Sequence, residues 1–215
     1  MKRLKYIVMS LAVALTTTAF FTSCEDEDKA RIPELGNGGF VKFVSRPDFW
    51  DGLEVVDGTS VTKYDIGGDP ASTSFDAITE DPNGNIANYQ IFVQGRFAGA
   101  PEDPIAYMST TTFPFDVSFN AGDMESLFNV PAGTIVSGDS FVFTSIITLQ
   151  DGTVYNSITT SCEDCPVTLV DEDGNPLPPG VWNGGTIDSV LLQGGDTGDN
   201  FLLPAIFWTV HLDDF

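Results

Sequence analysis

Apolar and polar residues alternate with a period of two along much of this 215-residue chain. Phe113, Phe115, Val117 and Phe119 alternate with Pro114, Asp116, Ser118 and Asn120, while Tyr89, Ile91 and Val93 fall opposite Asn88, Gln90 and Gln94. Side chains of a strand point to opposite faces in turn, so the pattern predicts strands with one face buried. Phe92 interrupts the polar face and predicts partial cover there. Pro114 has no N–H for a ladder, which places it at a sheet edge or a strand start. The strongest strand runs from Phe141 to Leu149, with Phe141, Phe143, Ile147 and Leu149 expected inward and Thr144 and Thr148 outward.

Turn chemistry separates these runs. Asp57-Gly58, Gly67-Gly68-Asp69-Pro70, Asp81-Pro82-Asn83-Gly84, Ser137-Gly138-Asp139 and Asp151-Gly152 bound strands expected over 40–45, 59–66, 72–80, 141–149 and 153–160. One short helix is expected from Asn120-Ala121-Gly122-Asp123, with Met124, Leu127 and Phe128 on its apolar side and Pro131 and Gly133 ending it. Neither face of so many short strands can be hidden by one sheet alone. Two packed sheets are therefore expected, an all-β sandwich, with a closed barrel as the alternative.

Residues 40–165 are assigned to the sandwich and 166–215 to a C-terminal β extension packed on it. Within the extension, two apolar stretches, Thr186 to Gln193 and Phe201 to Leu212, alternate with acidic, Gly- and Pro-rich loops. Phe207, Trp208 and Val210 demand burial, as an extra hairpin or part of a small appended unit.

The N-terminal region has a different pattern. Lys2, Arg3 and Lys5 precede a mostly apolar run from Tyr6 to Phe21, then Thr22-Ser23-Cys24. The run is broken by Ser10 and Thr16 to Thr18, so residues 1–23 read as a cleaved export signal rather than a membrane span. Phe21-Thr22-Ser23-Cys24 resembles a bacterial lipoprotein box, which implies lipidation of Cys24. Glu25-Asp26-Glu27-Asp28 resembles the acidic signal that sends lipoproteins of the Bacteroidetes to the outer face of the outer membrane. Three acyl chains exceed the two signals that stable anchoring needs. Residues 24–39, acidic and then glycine-rich, are expected to form a tether.

Charge narrows the partners. Beyond Cys24, 31 acidic residues stand against six basic ones, a balance of about −25, and no Lys or Arg follows Arg96. Such a field repels phosphate backbones, which argues against nucleic acid and leaves neutral ligands such as polysaccharides, or divalent cations. Solubility outside the cell is the plainer use of the acid.

Candidate chemistry is sparse. Cys162 and Cys165 are read first as a local disulfide and next as free thiols, since zinc would need two further ligands and His211 is the only histidine. The acids between the two cysteines would raise a thiol pKa, against a catalytic dithiol. Asp171, Asp173 and Asn175, with Gly174 beside them, resemble the start of a calcium loop, although Trp182 stands where an EF-hand has its last Glu. Trp50, Tyr107 and Trp182 lie in or beside loop-like stretches where flat rings could stack on a sugar or peptide. No Gly-x-Ser-x-Gly, His-Glu-x-x-His or phosphate-loop pattern occurs, so no enzyme is expected. A glycoside hydrolase ranks last, because it needs two carboxylates at a defined separation.

From about Thr73 to Cys165 the chain resembles the immunoglobulin-like domains of Bacteroidetes surface lipoproteins, including the N-terminal modules of starch-utilisation lipoproteins of the SusE type. The resemblance lies in Tyr89-Gln90-Ile91-Phe92-Val93, Thr112-Phe113-Pro114-Phe115, Ala121-Gly122-Asp123-Met124, Gly138-Asp139-Ser140-Phe141-Val142-Phe143 and Asp151-Gly152-Thr153-Val154-Tyr155. It implies an immunoglobulin-like β-sandwich acting as a spacer, with glycan contacts in later domains, and it transfers no binding residue. The expected role is an accessory or binding module of a glycan- or nutrient-uptake system beside outer-membrane transport proteins. A structural or cell-envelope interaction module is the alternative.

Overall fold

The computed structural model describes residues 39–45, 47, 49–157 and 203–213. They form two packed sheets, an all-β sandwich with one short helix. The strands are β1 (Lys42–Phe43), β2 (Trp50–Val56), β3 (Thr59–Asp65), β4 (Ser74–Glu80), β5 (Ile86–Arg96), β6 (Ile105–Thr110), β7 (Phe115–Asn120), β8 (Ser140–Leu149), β9 (Val154–Asn156) and β10 (Phe207–His211), with helix α1 (Ala121–Phe128) between β7 and β8. The small sheet has the order β1-β4-β7, and the large one β2-β3-β10-β8-β5-β6 with β9 on β8.

Local chemistry sets the turns. Asp57 and Gly58 both take positive φ, 50° and 80°, in the two-residue connection between Val56 and Thr59, where strand twist favours that geometry. In the turn that carries the chain from β4 in the small sheet to β5 in the large one, the Asp81 carboxylate accepts backbone N–H bonds from Asn83, Gly84 and Ile86, between 2.8 and 3.0 Å. The capping box of α1 is complete. Asn120 Oδ1 accepts from the Asp123 N–H at 3.0 Å and Asp123 Oδ2 from the Asn120 N–H at 2.9 Å. Asn129, left-handed at φ 53°, closes its C-terminus before Pro131.

The core lies between the sheets and is built from the residues whose alternation marked them. Phe75 and Phe119 of the small sheet and Tyr89, Ile91, Val93, Phe141 and Phe143 of the large one are all buried. Phe119 packs 5.2 Å from Phe143 and edge-on against Phe141 at 5.8 Å, joining the two sheets. Phe43 meets Tyr64 and Trp208 edge-on, while Trp208 stacks on Phe143 at 5.0 Å with the rings 4° from parallel. Strand β7 begins just after Pro114 and lies at the edge of its sheet, as a missing donor requires.

Two expectations need correcting. Phe207–His211 is no added hairpin: β10 sits inside the large sheet, parallel to β3 and antiparallel to β8. Thr144, expected to face out, is only 6% exposed. The cause is a curl of the large sheet. Glu54 of β2 bonds Arg96 of β5 at 2.7 Å, although β3, β10 and β8 separate them in sheet order. Four strand spacings in a flat sheet span roughly 19 Å, further than a Glu and an Arg side chain reach together. The β2–β3 ribbon therefore folds across the outer face, where Val56 and Val61 form a second small core with Val142 and Phe207.

Candidate functional site

Two places on the sandwich gather polar chemistry. The first is the outer face of the large sheet, where the curl brings side chains of β5 and β10 to one carboxylate on β2. Glu54 Oε1 accepts from Arg96 Nη1 and Glu54 Oε2 faces His211 Nε2, both at 2.7 Å. His211 Nδ1 lies 3.7 Å from Asp213 Oδ2, and Asp65 Oδ1 accepts from the backbone N–H groups of Gly67 and Asp213. Burial alone would raise the Glu54 pKa. Hydrogen bonds with His211, Thr209 and Arg96, and the charge of His211, outweigh it and hold the carboxyl at about 2 against an ordinary 4.5. Nearby, Lys63 donates to Asp51 at 2.8 Å, a contact that raises its pKa against the opposing effect of burial, with Asp65 and Asp213 adding to the rise. Carboxylates and cations are paired here, and the arrangement ties strands together. No group of three or more His, Cys, Asp or Glu side chains among the described residues is placed to hold a metal ion.

The second place is a groove of about 660 Å³ between the 69–74 turn and the start of α1. Asp69, Ser72 and Thr73 form one wall, Asn120 and Gly122 the other, and Glu125 lies at its buried end. The Asp69 carboxylate accepts from Ser72 Oγ at 2.7 Å and from the Ala71 N–H at 3.1 Å, contacts that hold its pKa down, the hydroxyl bond most. Glu125 Oε1 accepts from the Ile135 N–H at 3.1 Å. The lining offers hydroxyls, amide groups and carboxylates with no cation, a chemistry suited to a neutral polyhydroxyl ligand. Sequence reading missed it, since residues 69–74 appeared only as a turn running into a strand and 120–125 only as a helix start.

The aromatic candidates are built into the scaffold. Trp50 opens β2 and packs partly buried against the main core. Tyr107 lies within β6 rather than a loop, donates its hydroxyl to the Ser118 carbonyl at 2.8 Å, and sits edge-on to Phe119 and Phe143. Burial, with the Asp123 charge second, pushes its pKa up to about 12. Both rings pack against the same main core, Trp50 from one end of the large sheet's strand order and Tyr107 from the other. Cys24, Cys162, Cys165, Asp171, Asp173, Asn175 and Trp182 lie outside the described residues, and with them the lipidation, disulfide and calcium readings.

Among the described residues no helix is long and apolar enough to cross a membrane. Comparison with protein-family models, with curated proteins and with solved structures gives no match.

Proposed function

We propose that this chain is a non-catalytic lipoprotein of the outer-membrane surface, an immunoglobulin-like accessory or binding module in glycan or nutrient uptake. The observation that carries the reading is Cys24 in its setting: an apolar leader with a basic start, the small residues Thr22 and Ser23 before it, and four acids after it. The groove beside α1 supports the glycan part, since its hydroxyl and carboxylate lining suits sugar hydroxyls. One observation favours the alternative of a structural or cell-envelope interaction module: Trp50 and Tyr107 serve the core, and flat exposed rings are the usual platform for a sugar.

The experiment is expression in a Bacteroidetes host with labelled palmitate, fractionation and surface proteolysis, for wild type and Cys24→Ala. Wild type is expected to carry label and to be cut by external protease, and the variant to lose both. A wild-type chain without label overturns the anchor. Purified protein titrated with a panel of soluble polysaccharides then separates the two roles. Binding lost in Ala71→Trp, which fills the groove, supports the glycan module; no affinity for any polysaccharide supports the structural one.

A further inference from the structure

Charge is divided between the strands. β6, β8 and β9 contain no Asp, Glu, Lys or Arg, and β5 has only Arg96, at its last position. By contrast β2, β3, β4 and β7 each carry acid: Asp51 and Glu54, Asp65, Asp76 and Glu80, and Asp116. The four uncharged strands are neighbours, in the order β9-β8-β5-β6. In a chain with 31 acids and nine bases, a continuous stretch of sheet without a carboxylate is not what solubility asks for.

The outer face of these strands is polar all the same. Along β5, opposite the buried Tyr89, Ile91 and Val93, stand Asn88, Gln90, Phe92 and Gln94, all four partly exposed. From Asn88 to Gln94 the row spans about 20 Å. Register extends it sideways, with Ser109 of β6 and Ile146 of β8 on either side of Gln90, and Asn156 of β9 beyond Ile146. Gln94 is held in place, since its Nε2 donates to the Glu102 carbonyl at 2.6 Å and leaves the amide oxygen to accept. Phe92 is the one ring on this face among the described residues. It belongs to neither hydrophobic cluster, so the packing of the sandwich does not account for it. Across the sheet from Phe92 come Thr144 and then Phe207, which lies under the β2–β3 ribbon, so the ribbon bounds the face on that side.

This chemistry selects its occupant. A charged ligand finds no counter-charge here, and a protein surface would have to match each amide donor and acceptor or leave it buried and unpaired. A neutral polysaccharide brings hydroxyls that both donate and accept, and ring faces of C–H bonds that suit a phenyl ring. It also approaches a strongly negative molecule without repulsion. We infer that the outer face of β5, with the β6, β8 and β9 positions beside it, is a platform for a neutral polysaccharide. Phe92 stacks on one sugar ring, and Asn88, Gln90 and Gln94 bond the hydroxyls of that ring and its neighbours. The inference rests on the glycan reading above but not on the groove, which is built from the 69–74 turn and α1.

The test uses the full chain as wild type, Phe92→Ala and Gln90→Glu. Each is titrated by calorimetry with neutral polysaccharides (dextran, soluble starch, galactomannan and mixed-linkage glucan) and with anionic polygalacturonate. Wild type is expected to bind at least one neutral polysaccharide and not polygalacturonate. Phe92→Ala is expected to weaken that binding about tenfold. Gln90→Glu keeps the side chain's shape but buries a charge under the ligand, and is expected to weaken it by about threefold or more. Binding that both variants leave at wild-type strength overturns the platform; if Ala71→Trp then removes it, the glycan reading stands through the groove. A preference for polygalacturonate also overturns the platform. Wild type that binds no polysaccharide overturns platform and glycan reading together, in favour of a protein partner. If Phe92→Ala fails to fold, as judged by its thermal melt, Gln90→Glu still decides.

Discussion

A single carboxylate, Glu54, fastens the curled end of the large sheet. Its pKa in the fold lies at about 2, below the ordinary 4.5, so its contribution is complete above about pH 4.5 and drains away as pH falls toward 2. Glu54→Gln is expected to cost about 1–2 kcal/mol at pH 7, at the lower end for a charged hydrogen bond because solvent reaches the site. Thermal melts of both proteins from pH 7 to pH 2 should converge at the acid end; a constant gap would show that the charge plays no part. Gly95 has a different reason to be small. A Cβ there would stand 2.2 Å from Phe97 Cε1, and that ring is held edge-on between Phe128 and Phe141. Gly95→Ala is expected to destabilise by about 1–3 kcal/mol in denaturant titration, since the ring has nowhere easy to go.

At the scale of elements, what the sequence made legible was local. Asn120 announced its helix because an Asn followed three residues on by Asp is a reciprocal cap, and the structure forms both bonds. Asn120→Ala is expected to cost about 1 kcal/mol in a urea titration, with the loss confined to the stability of the fold and no change of sheet structure by circular dichroism. The alternation over 115–119 and 141–149 was readable for the same reason, since period two needs only the pleat. Thr144 and Thr209 were not readable. Their burial depends on the β2–β3 ribbon crossing the outer face, a long-range event no neighbouring residue records. β6 escaped because its inward residues, Ile105 and Tyr107, are half-buried at an edge and mixed with small polar ones. The place of β10 was hidden more deeply: Phe207 to Val210 is apolar but for Thr209, which signals burial on both faces yet names neither neighbour. The groove beside α1 was invisible because it belongs to two segments that touch only after folding.

The whole molecule carries its charge unevenly, with every Lys and Arg at or before Arg96. Self-repulsion on that scale opposes compaction and is screened by salt. The melting temperature is therefore expected to rise by a few degrees between about 10 mM and 0.5 M sodium chloride, measured by calorimetry at pH 7; a fall would mean that the ion pairs around Glu54 outweigh the repulsion.

The central position of the last strand also bears on how the protein is made. Strands β3 and β8 leave the ribosome, and any export channel, before the residues that join them. Up to that moment the chain holds most of its apolar residues but no finished hydrogen-bonded partner for two of its longest edges. A chain that cannot close early keeps those two edges open for longer, and must be shielded from its own kind while it waits.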